Sequence, residues 1–325
     1  MGETIARRII LAGGSSFLEQ ALAEELTRRG DQVLILTRSR PTSAGQVQYV
    51  PWDGKTLGEW THVLEGATAL VNLVGKSVNC RYTPANRREI LDSRVNSVKV
   101  LGQAIRQCSM PPQAWVQCGS LAIYGDPGDR VCDETAPAGE GFPVETCVLW
   151  EQAFNAWHLP TTRKTLLRIG FALGHDGGAL ETLTKLTQWF LGGRAGSGQQ
   201  YISWLHLADL TQMFLWAMER EDLEGVFNAT SPQPVPNAEF MRTLRSTLHR
   251  PWSPPVPGLA VRIGAFFLGT EAELVLTGRR CVPRRFLEKG FTFQYPDLHA
   301  ALQSLLAEGY KTPPHPHHNS AGRGT

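Results

Sequence analysis

The sequence contains no apolar run approaching the roughly eighteen residues that a bilayer-spanning helix requires, which excludes a transmembrane helix. It also lacks an excess of charge. Against 32 Lys and Arg stand 30 Asp and Glu, so electrostatics gives no reason to expect nucleic acid or an anionic membrane as partner. The cysteines (Cys80, Cys108, Cys118, Cys132, Cys147 and Cys281) include no Cys-x-x-Cys pair and no histidine at zinc-finger spacing. No metal site is therefore expected, and the thiols read as reduced. The opening residues, MGETIARRIILAGG, offer neither a signal-peptide apolar core nor a small-residue cleavage site, and Ala6 stands where a myristoylation signal needs Ser or Thr. A cytoplasmic location is the expectation, and no internal repeat is visible.

What is present is an alternation of strand and helix signals. Ile9-Ile10-Leu11 leads into Gly13 and Gly14, then into an amphipathic helix over about 17–29 with Leu18, Leu22 and Leu26 on its inner stripe. Gly30 ends it. Apolar strands are expected at 33–36, 69–74, 114–118 and 165–169, with helices over 84–107 and about 148–157. Continuous apolar strands separated by helices mean a parallel sheet covered on both faces. Right-handed crossovers make it a doubly wound, Rossmann-like α/β domain over 1–170, with 203–230 returning to it. Pro232, Pro234 and Pro236 mark a boundary, and helices at 237–248 and 261–277 belong to a smaller, mostly helical substrate cap over 171–202 and 231–310. The tail, 311–325, carries His315, His317 and His318 among Pro, Ser and Gly and reads as disordered.

Several stretches carry a family resemblance: VNLVGKSVNCRYTPANRREILDSRV (71–95), GSLAIYGD (119–126), CVLWEQA (147–153), LRIGFALGHDGGAL (167–180), GSGQQYISWLHLADL (196–210), GVFNATSPQPVPNAEF (225–240), the 269–278 helix and VPRRFLEKGFTFQYPDLHAAL (282–302). In this order they make the sequence resemble the extended, atypical short-chain dehydrogenase/reductases, in the YfcH-type "epimerase family" branch, from about residue 8 to 306. The resemblance implies oxidoreductase or epimerase chemistry on a small-molecule substrate with NADP(H) or NAD(H), and leaves a homodimer open.

In such proteins three glycines shape the turn after the first strand: one for the tight turn, one for phosphate approach and one for close helix packing. Here Gly13 keeps the first place, while Ser16 and Glu19 hold the second and third. Gly14, Ser15 and Phe17 complete the expected cofactor turn. Glu19 lies on the stripe of Leu22 and Leu26, so its side chain starts inward. A helix amino end favours a carboxylate by about 0.3–1 kcal/mol, and a pyrophosphate wants that same end. Two anions about 4 Å apart repel by roughly 4 kcal/mol at an effective dielectric of about 20. Glu19 must turn outward or compete with the phosphates, so the cofactor is weakened, or lost, if it stays in. Arg38 follows the second strand, where no acid is present to grip a ribose hydroxyl. That favours NADP(H) over NAD(H), with Arg40 assisting. Leu73 and Gly75 match the segment that lies along adenosine in the family.

The superfamily's catalytic serine matches Ser120. Its Tyr-x-x-x-Lys pair does not survive: Cys147 takes the tyrosine's place and Glu151 the lysine's, a pattern typical of this branch. A carboxylate beside a thiol raises the thiol's pKa, so Cys147 is a poor acid. Glu151 could act as a base and Tyr124 as the remaining proton donor. Trp204 and His206 echo a family motif as substrate-wall residues, His206 alternatively capping a helix. Arg81 and Arg94 face the expected cleft and suit an anionic group.

Three readings remain from sequence. One is an NADP(H)-dependent oxidoreductase or epimerase with a degenerate turn. Another is a cofactor-independent isomerase or cyclase using Glu19, Glu151 or Tyr124 as acid or base. The last is a non-catalytic nucleotide sensor or protein-binding module.

Overall fold

The computed structural model describes residues 7–13, 17–38, 47–175 and 177–308. Gly14, Ser15, Ser16, Arg40 and the tail at 311–325 lie outside them. The chain begins with β1 (Arg8–Ala12), α1 (Phe17–Arg28), β2 (Gln32–Thr37), β3 (Gln48–Pro51), β4 (Ala69–Asn72), α2 (Pro84–Gln107), β5 (Ala114–Ser120) and β6 (Val131–Cys132). It continues through α3 (Phe142–Asn155), β7 (Arg163–Ile169), β8 (Phe171–Leu173), α4 (Gly178–Gln188), β9 (Tyr201–Ile202), β10 (Trp204–His206), α5 (Leu207–Glu219) and β11 (Gly225–Ala229). The last part holds β12 (Val235–Pro236), α6 (Asn237–Thr247), α7 (Gly258–Leu268), α8 (Glu273–Leu276), β13 (Arg280–Cys281), α9 (Arg284–Glu288) and α10 (Leu298–Glu308).

Seven strands pair in parallel in the order β11-β7-β5-β4-β1-β2-β3. The all-apolar reading of β1 and β4 holds because helices cover both faces: Ile9 to Ala12 and Ala69 to Val71 are buried. The edge strand β3 was missed from sequence because QYVP buries only Val50 and shows no apolar run. Helix α2 starts at Pro84 under a side-chain cap from Thr83, which accepts from the Asn86 amide at 3.2 Å. Helix α3 starts earlier than expected, at Phe142, where Gly141 at φ 100° turns the chain and Pro143 fits the first turn. The single helix expected over 261–277 is two, because Gly269 adopts the left-handed conformation and ends α7.

A second apolar core, separate from that of the main sheet, centres on Leu180, Trp204, Phe240, Leu244 and Leu302. Within 231–310, Phe286 and Phe291 pack into the main core beside Phe227. None of the described helices is long and apolar enough to cross a membrane.

Helix α2 lies against the segment after α3 through one glycine. A Cβ on Gly102 would stand 2.2 Å from the Trp157 indole. Gly102→Ala is expected to lose about 1–3 kcal/mol through overpacking, read by urea unfolding, and Trp157→Leu should recover part of it. An unchanged midpoint for Gly102→Ala would show that the contact is not tight.

Candidate active site

Beyond β1 the chain runs outward through β2 and β3, then returns through β4 to the other half of the sheet. The carboxyl ends of β1 and β4 therefore flank the crevice where doubly wound sheets bind ligands. Gly13 opens one side, its amide donating to Leu36 O at 3.2 Å; Leu73 opens the other, donating to Ala12 O at 2.7 Å. Glu19 points inward. It is only 2% exposed, and a Cβ on Gly13 would lie 3.0–3.3 Å from its carboxylate atoms. Phe17 is seated against the cap: Cβ atoms on Gly174, Gly177 and Gly178 would stand 3.0–3.1 Å from it, so these glycines let the segment after β8 close over the start of α1. Arg38 is exposed immediately after β2.

The loop after β4 is shaped from beneath. Buried Asn72 accepts from the Val74 amide at 3.1 Å and donates to Gln117 Oε1 at 2.9 Å, its register partner on β5. Gly75 was expected to mark the approach of a cofactor. What packs on it is the Arg94 guanidinium, 3.1 Å from the place of a Cβ. Arg94 Nη1 donates to the carbonyls of Lys76 (3.0 Å) and Ile90 (2.9 Å), and its guanidinium lies over the Trp150 ring at 5.2 Å.

The positions expected to be catalytic separate into two groups. Ser120, at the end of β5, is half-buried; its Oγ accepts from the Ala122 amide at 3.1 Å. Cys147 is buried on α3, and desolvation pushes its thiol up to about 11 although Arg94 pulls it back. The second group is locked. Glu151 receives two bonds from Arg168, Nε to Oε1 and Nη2 to Oε2, each 2.8 Å. Arg168 Nη1 donates to the Tyr124 hydroxyl at 2.7 Å, which donates to Asn228 Oδ1 at 2.8 Å. Burial pushes Tyr124 up to about 12, against the pull of Arg168. Glu151 and Tyr124, expected as base and proton donor, are thus engaged within the protein: each carboxylate oxygen accepts one bond from Arg168, and the tyrosine hydroxyl donates to Asn228.

Trp204 was expected on the substrate wall and lies in a core instead, while of the two roles open to His206 the helix cap is the one seen. Trp204 is fully buried in the second core and donates Nε1 to Gln233 O at 2.8 Å. His206 caps α5, Nδ1 accepting from the Ala208 amide at 3.0 Å, and stacks on Tyr295 with centroids 3.9 Å apart. Asp209 accepts from the amides of Gln294 and Tyr295 at 2.7 and 3.0 Å, fixing the strap that carries Tyr295. Arg81 grips α7, lying over the Phe266 ring at 4.3 Å and donating to its carbonyl at 3.2 Å.

Arg168, Asn228 and Arg279 were not singled out from sequence. One signal was available for the first: a lone charge inside the apolar strand LLRI must find a buried partner. Nothing in the sequence distinguishes Arg279 from its neighbours.

Two measurements test this arrangement. Arg168→Met should destabilise by about 3–5 kcal/mol by leaving Glu151 buried and unpaired, and the Glu151→Leu/Arg168→Met double variant should lose less. Equal losses would show that the pairing is not what Arg168 supplies. Burial lowers His206 from 6.5 to about 4. The unfolded chain therefore takes up a proton that the folded chain refuses, so this contribution is complete above about pH 6.5 and lost as pH falls towards about 4, on the order of 3 kcal/mol. His206→Asn keeps a cap acceptor and should flatten that limb of the pH–stability curve; a curve of unchanged slope would refute the assignment.

A doubly wound parallel sheet, a crevice at its switch point and a helical C-terminal region define a Rossmann-type α/β protein. The chain belongs to the NAD dependent epimerase/dehydratase family, whose sequence model matches residues 9–229; a domain of unknown function, DUF1731, matches 256–305. It is 32% identical over 305 residues to the epimerase family protein YfhF of Bacillus subtilis, covering 92% of this chain and 98% of that one. It is 32% identical over 306 residues to the epimerase family protein SDR39U1 of Homo sapiens, covering 92% and 100%. The crystal structure of human SDR39U1 (isoform 2) with NADPH superposes with a TM-score of 0.83 at 30% identity, covering 92% of this chain and 99% of that one. A nucleoside-diphosphate sugar epimerase from Corynebacterium glutamicum superposes at 0.76 and 26% identity, covering 93% of this chain and 59% of that one.

Proposed function

We propose that the protein binds NADP(H) in the β1–β4 crevice and acts on a small metabolite as an oxidoreductase or epimerase that does without the Tyr-x-x-x-Lys pair. The observation that carries this reading is Arg38, exposed at the end of β2 with no acidic residue beside it, where a ribose 2′-phosphate is recognised in this fold. NADPH in the human relative supports it. The residues present fit the adenosine half: Arg38 supplies the cation, and Asn72 holds the 73–75 loop in shape. The diphosphate half carries an opposing charge, because the Glu19 carboxylate is buried against Gly13. Repulsion of roughly 4 kcal/mol at about 4 Å sets the scale of the penalty.

When bound, the nicotinamide supplies hydride transfer. The chain's own residues then divide the remaining work. Ser120 Oγ accepts the Ala122 amide and keeps its proton for a substrate oxygen. Cys147, with its thiol pushed to about 11, stays protonated at neutral pH and presents a neutral S–H where the family has tyrosine. Glu151 is paired with Arg168 and leaves no unpaired charge of its own on α3 beside Cys147. A cofactor-independent isomerase or cyclase finds less support, since Glu19, Glu151 and Tyr124 are 2%, 7% and 1% exposed.

Titration with NADPH, followed by nicotinamide fluorescence, tests the proposal. Glu19→Gly should tighten binding by about tenfold or more. Arg38→Ala should remove the preference for NADPH over NADH, worth about tenfold. If neither the wild type nor Glu19→Gly binds at millimolar NADPH, the proposal is wrong.

A further inference from the structure

We propose that Arg94 and Arg279 form an anion-recognition subsite on either side of Cys147, and that the substrate therefore carries a carboxylate or phosphate group. The inference rests on the crevice being the substrate cleft.

Two separate parts of the chain bring these guanidinium groups within electrostatic reach of the Cys147 thiol. Arg94 comes from α2 and lies over Trp150, one turn along α3 from Cys147. Arg279 comes from the segment before β13, and its Nε donates to Gly125 O at 3.1 Å. Gly125 follows Tyr124, which packs in one cluster with Cys147 and Cys281. The Cys147 thiol accordingly feels both cations, together with Arg168 and the opposing Glu151.

The three arginines differ in what neutralises them. Arg168 is held by both oxygens of Glu151. Among the described residues, neither Arg94 nor Arg279 has a carboxylate within ion-pair distance. The charge of Asp126 acts on Arg279 from a distance, while its Oδ1 accepts from the Gly278 amide at 3.4 Å. Arg94 binds two carbonyls through Nη1 alone, and Arg279 one carbonyl through Nε alone, so each keeps at least one terminal nitrogen that bonds to no described residue. Burial pulls the pKa of both downward, the signature of a cation removed from water without a counter-charge. A guanidinium in that condition favours a planar or tetrahedral oxyanion, which it binds through parallel N–H bonds.

Malonate and inorganic phosphate serve as probes, each titrated against KCl at matched ionic strength while the melting temperature and binding heat are followed. The wild type should show saturable stabilisation beyond KCl. Arg279→Gln should weaken it by about tenfold or more, Arg279→Lys by less, and Arg94→Gln should act in the same direction. The exposed Arg88→Gln should leave it unchanged. A response to phosphate alone would indicate a phosphorylated substrate, and one to malonate alone a carboxylic acid. The inference is overturned if the wild type responds only as it does to KCl, if Arg279→Gln and Arg94→Gln both bind the probes normally in a folded state, or if Arg38→Gln abolishes the effect. NADPH titration of the same samples separates the two proposals: intact cofactor binding without an anion response would sink this one alone.

Discussion

Arg168 is the charge on which the site's geometry depends. A guanidinium inside a parallel strand is tolerable only if its charge and its donors are satisfied, and each partner is supplied by a different element. Glu151 comes from α3 and Tyr124 from the turn after β5, while Asn228 on β11 takes the tyrosine's proton. Asn228 is itself tied to Glu134, which accepts its amide at 3.0 Å, and to Val282 O at 3.1 Å. One strand residue thereby joins the sheet, the helix that carries the family's catalytic positions and the approach to β13. The cofactor-side crevice and the cap segments meet around a framework whose polar groups are mutually committed.

That commitment changes what the family positions do. A lysine four residues after a tyrosine would present a free cation to the cleft; Glu151 at that place is turned to Arg168 instead. Positive charge near residue 147 comes from other elements, Arg94 on α2 and Arg279 before β13. The chemistry lost from one helix face is thus partly replaced, in sign, by side chains converging through the tertiary fold.

A similar substitution occurs at the two glycines of the crevice. Gly13 faces the Glu19 carboxylate and Gly75 faces the Arg94 guanidinium, so close approaches that the fold allows are made by the chain's own charges, one of each sign.

The doubly wound sheet, α2 and the inward start of Glu19 were legible in the sequence because each depends on local periodicity and on the burial of apolar stripes. The family was legible for a related reason, since ordered motifs persist where backbone geometry demands them. The partners of side chains were not. Sequence placed Glu151, Tyr124 and Trp204 near the strand ends without revealing that Arg168, Asn228 and Gln233 engage their polar groups; for His206 it left substrate wall and helix cap open. Nor could it bring the charge of Arg279 to bear on Cys147 across about two-fifths of the chain. Periodicity specifies which face a residue starts from; only the packing of distant segments decides which charge it meets there.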